Sequence, residues 1–388
     1  MRAAPARAAN GSPLAATITG VEAIPLAVQG ARDFRISEGG TRVHTSVVLR
    51  VLTSEAGLEG IAEVVSAPPG KPEELGEEIA AAIRRVVAPA VTGLAVSQRA
   101  LACARVDQAL KGRTWTKAAL NVALHDLQAK ALGVPVVDLL GGRITDRLPV
   151  IAPVIGIMSP DDMAREAARH AAAGFSTLKL KVGERPEADA DRVRAVREAV
   201  GPGVALRVDA NDHYRPADAV RLIRAIERYA PEHVEQPVPR GDLLGMAEVR
   251  RQVAVPIMTD DMVATPQDAM TVVRLGAADR VKVKVTKHGL DGARLIIGML
   301  EAAGVACVLG HVFEMGLAAA AEAHLALAAR NLVPPHEIGS MQPMGISADI
   351  VTADLQPRGG EMHLPEGPGL GVRLDWARIT EYRVAEGR

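Results

Sequence analysis

Single charged residues recur at an even interval through the second half of the chain, each at the end of a short apolar run. They are Lys181, Asp209, Glu235, Asp260 and Lys284, and the intervals between them are 28, 26, 25 and 24 residues. One strand, one helix and two short loops occupy about that length in a repeating βα unit, so each charge falls at the same point of successive units. If the strands are parallel and close into a barrel, all five side chains open onto one face.

Strand-like and helix-like segments alternate from residue 150 onward, which predicts a parallel α/β sheet or barrel. Eight strands are predicted, at residues 150–157, 177–181, 205–209, 233–235, 257–259, 280–284, 306–310 and 337–340. The Gly- and Pro-rich tail that follows turns strand-like at 373–384, and we expect it to return to the N-terminal part of the protein.

The N-terminal part has a different pattern. β-branched runs bounded by turns predict an antiparallel meander at residues 18–28, 45–53 and 57–64. Helical periodicity follows at residues 75–87, 97–110 and 116–132. Residues 30–41 have the composition of a mobile polar loop that closes over a site, although a plain surface hairpin fits equally well. The predicted divisions are a disordered tail at 1–16, an α+β capping domain at 17–146 completed by 360–388, and a barrel at 147–359.

Composition excludes several classes of protein. The chain is 48% hydrophobic and 23% charged, which is typical of a folded globular protein. Its formal charge of -1 favours neither nucleic acid nor an anionic membrane surface, and no run reaches the roughly 18 apolar residues of a membrane helix. The two cysteines, Cys103 and Cys307, lie far apart, so we expect reduced thiols and a cytoplasmic setting. A small-molecule partner is the expected one.

Asp209, Glu235 and Asp260 supply hard oxygen ligands on three neighbouring predicted strands. That set suits an octahedral Mg²⁺ that keeps open positions for a substrate carboxylate, with Mn²⁺ as the alternative ion. Acidic residues also occur at helix N-termini for electrostatic reasons alone. Three of them at near-constant spacing, flanked by lysines at matching strand ends, favour the metal site.

Lys179 and Lys181 are two apart on a predicted strand, so their side chains share a face. Two ammonium groups packed together in a partly desolvated site predict a lowered pKa for at least one of them, as a general base requires. Lys284, about across the barrel, would face the other side of a bound substrate. Lys282 shares the strand face of Lys284 and competes with it for that role.

Five motifs together resemble the enolase superfamily, specifically its muconate-lactonizing (mandelate racemase/muconate cycloisomerase-like) subgroup. They are Lys179-Leu-Lys181, Asp209-Ala-Asn211, Glu235-Gln236-Pro237, Thr259-Asp260-Asp261 and Lys284-Val-Thr-Lys287-His-Gly289. The resemblance implies a (β/α)7β TIM-like barrel with an N-terminal α+β capping domain. It also implies metal ligands at Asp209, Glu235 and Asp260, acid/base lysines at Lys181 and Lys284, and Lys179 as the residue that tunes Lys181; sites of this superfamily use a Lys or His base with Mg²⁺.

The chain departs from the subgroup pattern at two positions near the predicted site. Asp261 stands where a Glu is usual, and Leu290 follows Gly289 where a second Gly is expected. Asp261 and Asn211 are predicted to lie behind the metal ligands and to orient them. Lys287 is interpreted as a loop residue.

Three residues are predicted to bind substrate: Phe34 and Arg35 in the 30–41 segment, and Glu314 after the seventh strand. For Glu314, together with the nearby His311, a purely structural role fits equally well. Trp115 precedes a helix at the domain junction, and packing is its default explanation.

The leading functional hypothesis is a Mg²⁺-dependent isomerase that abstracts the α-proton of a carboxylate substrate and forms a metal-stabilised enediolate. Racemisation or epimerisation of an amino-acid derivative and cycloisomerisation of the muconate type are both open. The runner-up is a lyase that dehydrates a hydroxy-carboxylate or hydroxyproline-type substrate through the same enediolate. A non-catalytic relative is the third alternative, since fold does not fix function. We expect a homo-oligomer.

Overall fold

The computed structural model describes residues 12–37, 39–67, 73–339, 344–346 and 348–384. Its strands are β1 (Ile18–Ile36), β2 (Gly39–Thr53), β3 (Glu59–Val65), β4 (Thr177–Lys181), β5 (Ala205–Asp209), β6 (His233–Glu235), β7 (Ile257–Thr259), β8 (Arg280–Val283) and β9 (Ala306–Leu309). Its helices are α1 (Gly76–Ala82), α2 (Ala88–Val91), α3 (Arg99–Ala109), α4 (Thr114–Leu132), α5 (Val136–Leu139), α6 (Pro160–Ala172), α7 (Pro186–Val200), α8 (Pro216–Ile226), α9 (Leu243–Gln252), α10 (Pro266–Leu275), α11 (Val285–Ala302), α12 (Gly316–Ala328) and α13 (Trp376–Tyr382). None of these helices has the length and hydropathy needed to cross a membrane.

The second half of the chain forms a parallel barrel. Strands β4 to β9 pair in sequence order, and their register places Lys181 beside Asp209 and Asp209 beside Glu235. The ring closes through two segments that the sequence predicts as full strands and that pair only by isolated bridges, Ile155 with Leu180 and Val150 with His336. The predicted barrel is confirmed. Its strand ends meet on one face, as the spacing of the charges requires.

The capping part is an antiparallel sheet in the order β1-β2-β3, backed by α1 to α4. The segment 30–41 is the tip of the β1–β2 hairpin, because the two strands still pair at Ile36 and Gly39 beyond an irregularity between Gln29 and Phe34. Of the two interpretations of this segment, the structure shows the hairpin, and the Phe34 side chain turns inward and gives the tip a packed face. Residue 38 lies outside the described residues.

The C-terminal segment returns to the capping sheet as predicted, but as helix α13 instead of a strand. Asp375 caps it by accepting the backbone N–H groups of Ala377 and Arg378 at 3.0 and 3.2 Å, which outweighs the β-like pattern. Beyond the helix, Val384 donates its N–H to the carbonyl of Pro25 at 3.0 Å. Of the predicted tail, residues 1–11 lie outside the described residues, and Pro13–Ala15 form a short 3-10 turn.

Close packing of β3 on α4 holds the capping sheet to its helices, and Gly60 makes that packing possible. A Cβ at Gly60 would lie 2.1 Å from the Ala123 carbonyl oxygen and 2.7 Å from the Leu127 Cβ, so Gly60→Ala must push strand and helix apart. We expect it to lower the free energy of unfolding by about 3 kcal/mol, the upper range for overpacking. Urea unfolding followed by circular dichroism measures the change. Gly20→Ala is the matched control in the same sheet, because its Cβ meets nothing within 4 Å. Equal stability of the two variants would contradict the packing.

Candidate active site

A cavity of about 550 Å³ lies between the hairpin tip and the carboxyl ends of the barrel strands. The capping part contributes an apolar wall, including Phe34, Ile36 and Trp115. The barrel contributes the charged floor, with Lys179, Lys181, Asp209, Asp260 and Lys284 among its lining residues. Four of the five residues predicted from the strand-end spacing therefore line one cavity, together with Lys179; Glu235 is fully buried and is not among the lining residues. Trp115, expected only to pack, also lines the cavity.

The first group of charges joins β4, β5 and β6. The Lys181 ammonium donates to Asp209 Oδ2 and to Asn211 Oδ1, both at 2.7 Å. The Lys179 ammonium lies 2.9 Å from Asp209 Oδ2 and 2.7 Å from Glu235 Oε2, so it bridges two of the three predicted metal ligands. All four charged side chains are almost fully buried, which makes each of these ion pairs strong and each unpaired charge costly.

A deeper group lies beneath them, and of the residues that it adds, only Lys282 is considered in the sequence analysis. The Lys282 ammonium donates to Glu235 Oε2 at 2.6 Å and to Glu337 Oε2 at 2.5 Å, and Arg207 donates to Glu337 Oε1 at 3.1 Å. Lys282 and Arg207 each stand two residues before a predicted site residue, on the same strand face. That spacing places Lys282 on the face of Lys284 in the sequence analysis, and the same spacing could have identified Arg207. It also places Lys282 one layer below Lys284, which lines the cavity where Lys282 does not.

The second group joins β7 and α11. The Lys284 ammonium donates to Asp260 Oδ2 at 2.6 Å, and Lys287 donates to Asp260 Oδ1 at 2.9 Å and also binds Asp261. Interpreting Lys287 as a loop residue is wrong, because helix α11 begins at Val285 and brings Lys287 one turn beyond Lys284. Arg240 closes the group by donating to Asp261 Oδ2 at 3.1 Å.

Nearby carboxylates raise the pKa values of two lysines at the cavity. Burial alone lowers the pKa of Lys179, but Asp209, Glu235 and Glu337 together raise it well above the usual range. Burial also lowers the pKa of Lys284, but the charges of Asp260 and Asp261 outweigh burial, so the pKa of Lys284 is raised. The Lys179 and Lys284 ammonium groups lie 2.7 and 2.6 Å from carboxylates on other strands, and this opposite charge raises both pKa values instead of lowering them. Only the pKa of the deeper Lys282 is lowered among these three, by burial.

The three predicted metal ligands fit a hard divalent cation. Glu235 is fully buried, and its Oε1 has no hydrogen-bond partner among the described residues. Burial, together with the charge of Asp209, raises the pKa of Glu235 to about 7, so the site favours added positive charge at that oxygen. Asp260 is the third oxygen donor; there burial is outweighed by Lys284 and Lys287, which keep its pKa well below the usual range and the carboxylate ionised. Oxygen-only donors are the set that Mg²⁺ prefers.

A second group of potential ligands consists of His233, Glu235 and Glu337, whose ligand atoms lie within 4.8 Å of one another. Both oxygens of Glu337 already accept from Lys179, Lys282 and Arg207. A cation placed there would meet those three positive groups at close range, so this group fits a metal less well than the strand-end carboxylates.

Asn211 and Gln236 support the floor from the turns after β5 and β6. Both have positive φ, 42° and 41°, a strained conformation for residues with a side chain. In return, Asn211 accepts from Lys181, and Gln236 Oε1 accepts the backbone N–H of Asp260 at 2.8 Å. The two strained residues thus position charged residues of the cavity: Asn211 positions Lys181, and Gln236 positions Asp260.

Of the three predicted substrate-binding residues, only Phe34 lines the cavity. Phe34 lines the cavity, whereas the Arg35 side chain is exposed at the rim and pairs with Glu184 at 3.0 Å. Glu314 is fully buried, and accepts from Thr286 Oγ1 at 2.5 Å and from the Val312 N–H at 2.7 Å. The structure does not bring Arg35 or Glu314 to the cavity lining, and the structural role left open for Glu314 is the one its contacts support.

The unusual Gly289–Leu290 pair has a local explanation. Gly289 has φ 64°, and a Cβ there would lie 2.8 Å from Asn121 Oδ1, so this glycine is required. The same oxygen accepts the Leu290 N–H at 2.8 Å, and the Leu290 side chain is fully buried. The second position therefore needs a good core residue and no glycine.

Carboxylates and lysines gathered at the carboxyl ends of barrel strands, beneath a capping domain, define a barrel enzyme that handles a small molecule enclosed by both parts. Two family models match the chain. Residues 162–378 match "Enolase C-terminal domain-like", and residues 21–141 match "Mandelate racemase / muconate lactonizing enzyme, N-terminal domain". The chain belongs to the mandelate racemase/muconate lactonizing enzyme family of the enolase superfamily.

Three similar proteins are isomerases by name. The L-Ala-D/L-Glu epimerase of Bacillus subtilis (strain 168) is 34% identical over 91% of this chain and 95% of its own length. Muconate cycloisomerase 1 of Pseudomonas putida is 32% identical over 88% and 91%. A dipeptide epimerase from Cytophaga hutchinsonii, solved with Mg and the dipeptide D-Ala-L-Val, superposes with a TM-score of 0.88 at 27% identity, covering 95% of this chain and 98% of its own. The predicted enzyme class, an isomerase of the enolase superfamily, is confirmed; the dehydratase alternative gains no support.

Proposed function

We propose that the protein is a Mg²⁺-dependent racemase or epimerase of a small amino-acid-derived carboxylate, with Asp209, Glu235 and Asp260 as metal ligands. Lys181 and Lys284 are its two acid/base residues. The observation that carries the proposal is the placement of the two lysines. They lie at the ends of β4 and β8, four strands apart in a barrel of eight strand segments. A substrate held between them presents opposite faces of its α-carbon to the two ammonium positions.

The metal ligands and the two lysines have different roles in the proposed reaction. Held by Asp209, Glu235 and Asp260, a Mg²⁺ would supply positive charge against the substrate carboxylate and against the negative charge that develops as the α-proton leaves. Either lysine, in its neutral form, takes the α-proton from its own face, and the other, as an ammonium, returns a proton to the opposite face. Because Asp260 would share its charge with the metal, it would attract the Lys284 ammonium less and so favour deprotonation of that lysine.

The hairpin tip keeps water away from the reacting carbon. Ile157 donates its N–H to the Arg35 carbonyl at 2.9 Å, and Ser37 Oγ donates to the Asn211 carbonyl at 3.0 Å, so the tip is fastened to two barrel loops. Phe34 and Ile36 then face the cavity from above. Exclusion of bulk water strengthens every charge interaction with the substrate.

Cycloisomerisation of a muconate-type dicarboxylate is the second candidate. It uses the same metal-held carboxylate and the same enediolate, and it is supported by the 32% identity to muconate cycloisomerase 1. One lysine would then donate or remove the proton, and the other would act only as a nearby cation. The two candidates differ in whether the α-carbon exchanges its proton from both faces.

Proton exchange in D₂O tests the proposal directly. The Mg²⁺-loaded enzyme is incubated with N-acylated amino acids, dipeptides, hydroxyprolines and cis,cis-muconate, and α-proton signals are followed by NMR. We expect exchange and racemisation of at least one N-acyl amino acid or dipeptide. Lactone formation from muconate without exchange in the amino-acid derivatives would select the second candidate, and loss of water from a hydroxyproline would contradict both.

A further inference from the structure

His311 lines the cavity from the end of β9 and takes no part in the charge groups described above. Its Nδ1 accepts the backbone N–H of Phe313 at 3.0 Å. A ring nitrogen that accepts an amide proton carries none of its own, so the imidazole is neutral and its proton is on Nε2. In the part of the chain that the structure describes, no protein group accepts a hydrogen bond from Nε2.

An aromatic stack fixes the orientation of this ring. The Phe313 ring lies edge-on to the His311 ring with centroids 5.0 Å apart, and its centroid is 4.9 Å from that of Phe34 in the hairpin tip. Phe313 adopts φ 66°, which is an outlier for a bulky side chain. Such strain is maintained only where the surroundings determine it, and it is concentrated at functional sites. Here it places Phe313 between the capping part and the imidazole.

The groups around His311 oppose a positive charge on it. Burial, and then Lys179, hold the pKa of His311 well below the usual range; Lys282 and Lys284 act in the same direction, and Glu337 opposes them. The cavity's ammonium and guanidinium donors already pair with carboxylates, as with Lys181 on Asp209 and Lys284 on Asp260. The Nε2–H of His311 is uncharged and has no acceptor among the described residues, whereas the ammonium donors of the barrel floor are charged and paired.

From this geometry we infer that His311 is a substrate-binding residue whose Nε2–H donates to an oxygen of the substrate beyond the reacting carboxylate. That oxygen belongs to an uncharged acyl or peptide carbonyl. A substrate ammonium at the same place would face the Nε2–H donor, and the charges of Lys179, Lys282 and Lys284, which disfavour a cation on His311, would disfavour it too. The inference rests on the proposed function for the placement of the reacting carboxylate, and it selects N-acylated amino acids and dipeptides among the substrates considered there.

The first test uses kinetics with N-acetyl-L-phenylalanine as the probe. His311→Phe keeps an aromatic ring and removes the donor, so we expect KM to rise about tenfold, the loss of one neutral hydrogen bond, with kcat changed less than about threefold. His311→Gln retains an N–H donor and is expected to recover part of the loss. His363→Phe, at an exposed position, is the matched control and should leave both constants unchanged. Equal KM values for wild type and His311→Phe would overturn the inference.

The second test is independent of turnover. In protein labelled with ¹⁵N-histidine and loaded with Mg²⁺, the signal lost in His311→Phe identifies residue 311. We expect a neutral ring protonated at Nε2 at pH 7, and a downfield shift of the Nε2 proton when N-acetyl-L-phenylalanine is added. An imidazolium, a proton on Nδ1 or an unresponsive Nε2 would overturn the role of His311. If the shift occurs without any α-proton exchange, the racemase proposal fails and the binding role stands.

Discussion

Glu235→Gln is expected to lower turnover by about 1,000-fold, because it removes the negative charge of one of the three proposed metal ligands and weakens the stabilisation of developing charge. The fold should be unaffected. Glutamine is isosteric with the carboxylic acid, and the raised pKa of Glu235, about 7, means that the side chain is already partly protonated near neutral pH without a metal. The amide oxygen can still accept from Lys179 and Lys282, which now donate to Glu235 Oε2.

Isothermal titration with Mg²⁺ and a thermal melt separate the two effects. We expect weaker Mg²⁺ binding and a melting temperature within a few degrees of wild type. Glu198→Gln is the matched control: Glu198 is exposed on helix α7, where it pairs with Arg194 at 3.4 Å. Its activity should remain within about twofold, as for an ordinary surface ion pair. Full activity of wild type in excess chelator would refute the metal assignment.

Replacing the two lysines should give mirror-image losses. If Lys181 and Lys284 face opposite sides of the α-carbon, Lys181→Ala should retain deuterium exchange on the enantiomer served by Lys284, and Lys284→Ala on the other. Each variant should lose racemisation by about 100- to 10,000-fold, the usual contribution of a general acid or base. Exchange measured separately on each enantiomer in D₂O gives the pattern directly.

Lys282→Ala decides the register. Lys282 lies one layer deeper and contacts Glu235 and Glu337, so its loss should disturb the site without an enantiomer-specific effect. If Lys282→Ala, and not Lys284→Ala, selectively loses exchange on one enantiomer, then Lys282 is the base and the assignment to Lys284 is wrong. A cycloisomerase would show neither mirror-image pattern, because one of the two lysines would act only as a cation.

Sequence spacing alone determined the barrel and its charged face. One charge per βα unit can be predicted because strand ends of a parallel barrel lie at one level, so position along the unit translates directly into position in space. The same logic assigns Lys179 with Lys181, since residues two apart on a strand share a face. The family motifs could add metal and base roles to those positions because they lie at the strand ends themselves.

Contacts between distant segments were decided only by the tertiary structure. Glu337 meets Lys179, Lys282 and Arg207 because the eighth segment closes the ring, a pairing that no local pattern encodes. Lys287 reaches Asp260 only because α11 begins immediately after β8. The lysine pKa values depend on the same contacts: the distance from each ammonium to a carboxylate on another strand sets the direction of the shift, and sequence spacing along one strand reveals only the neighbouring ammonium.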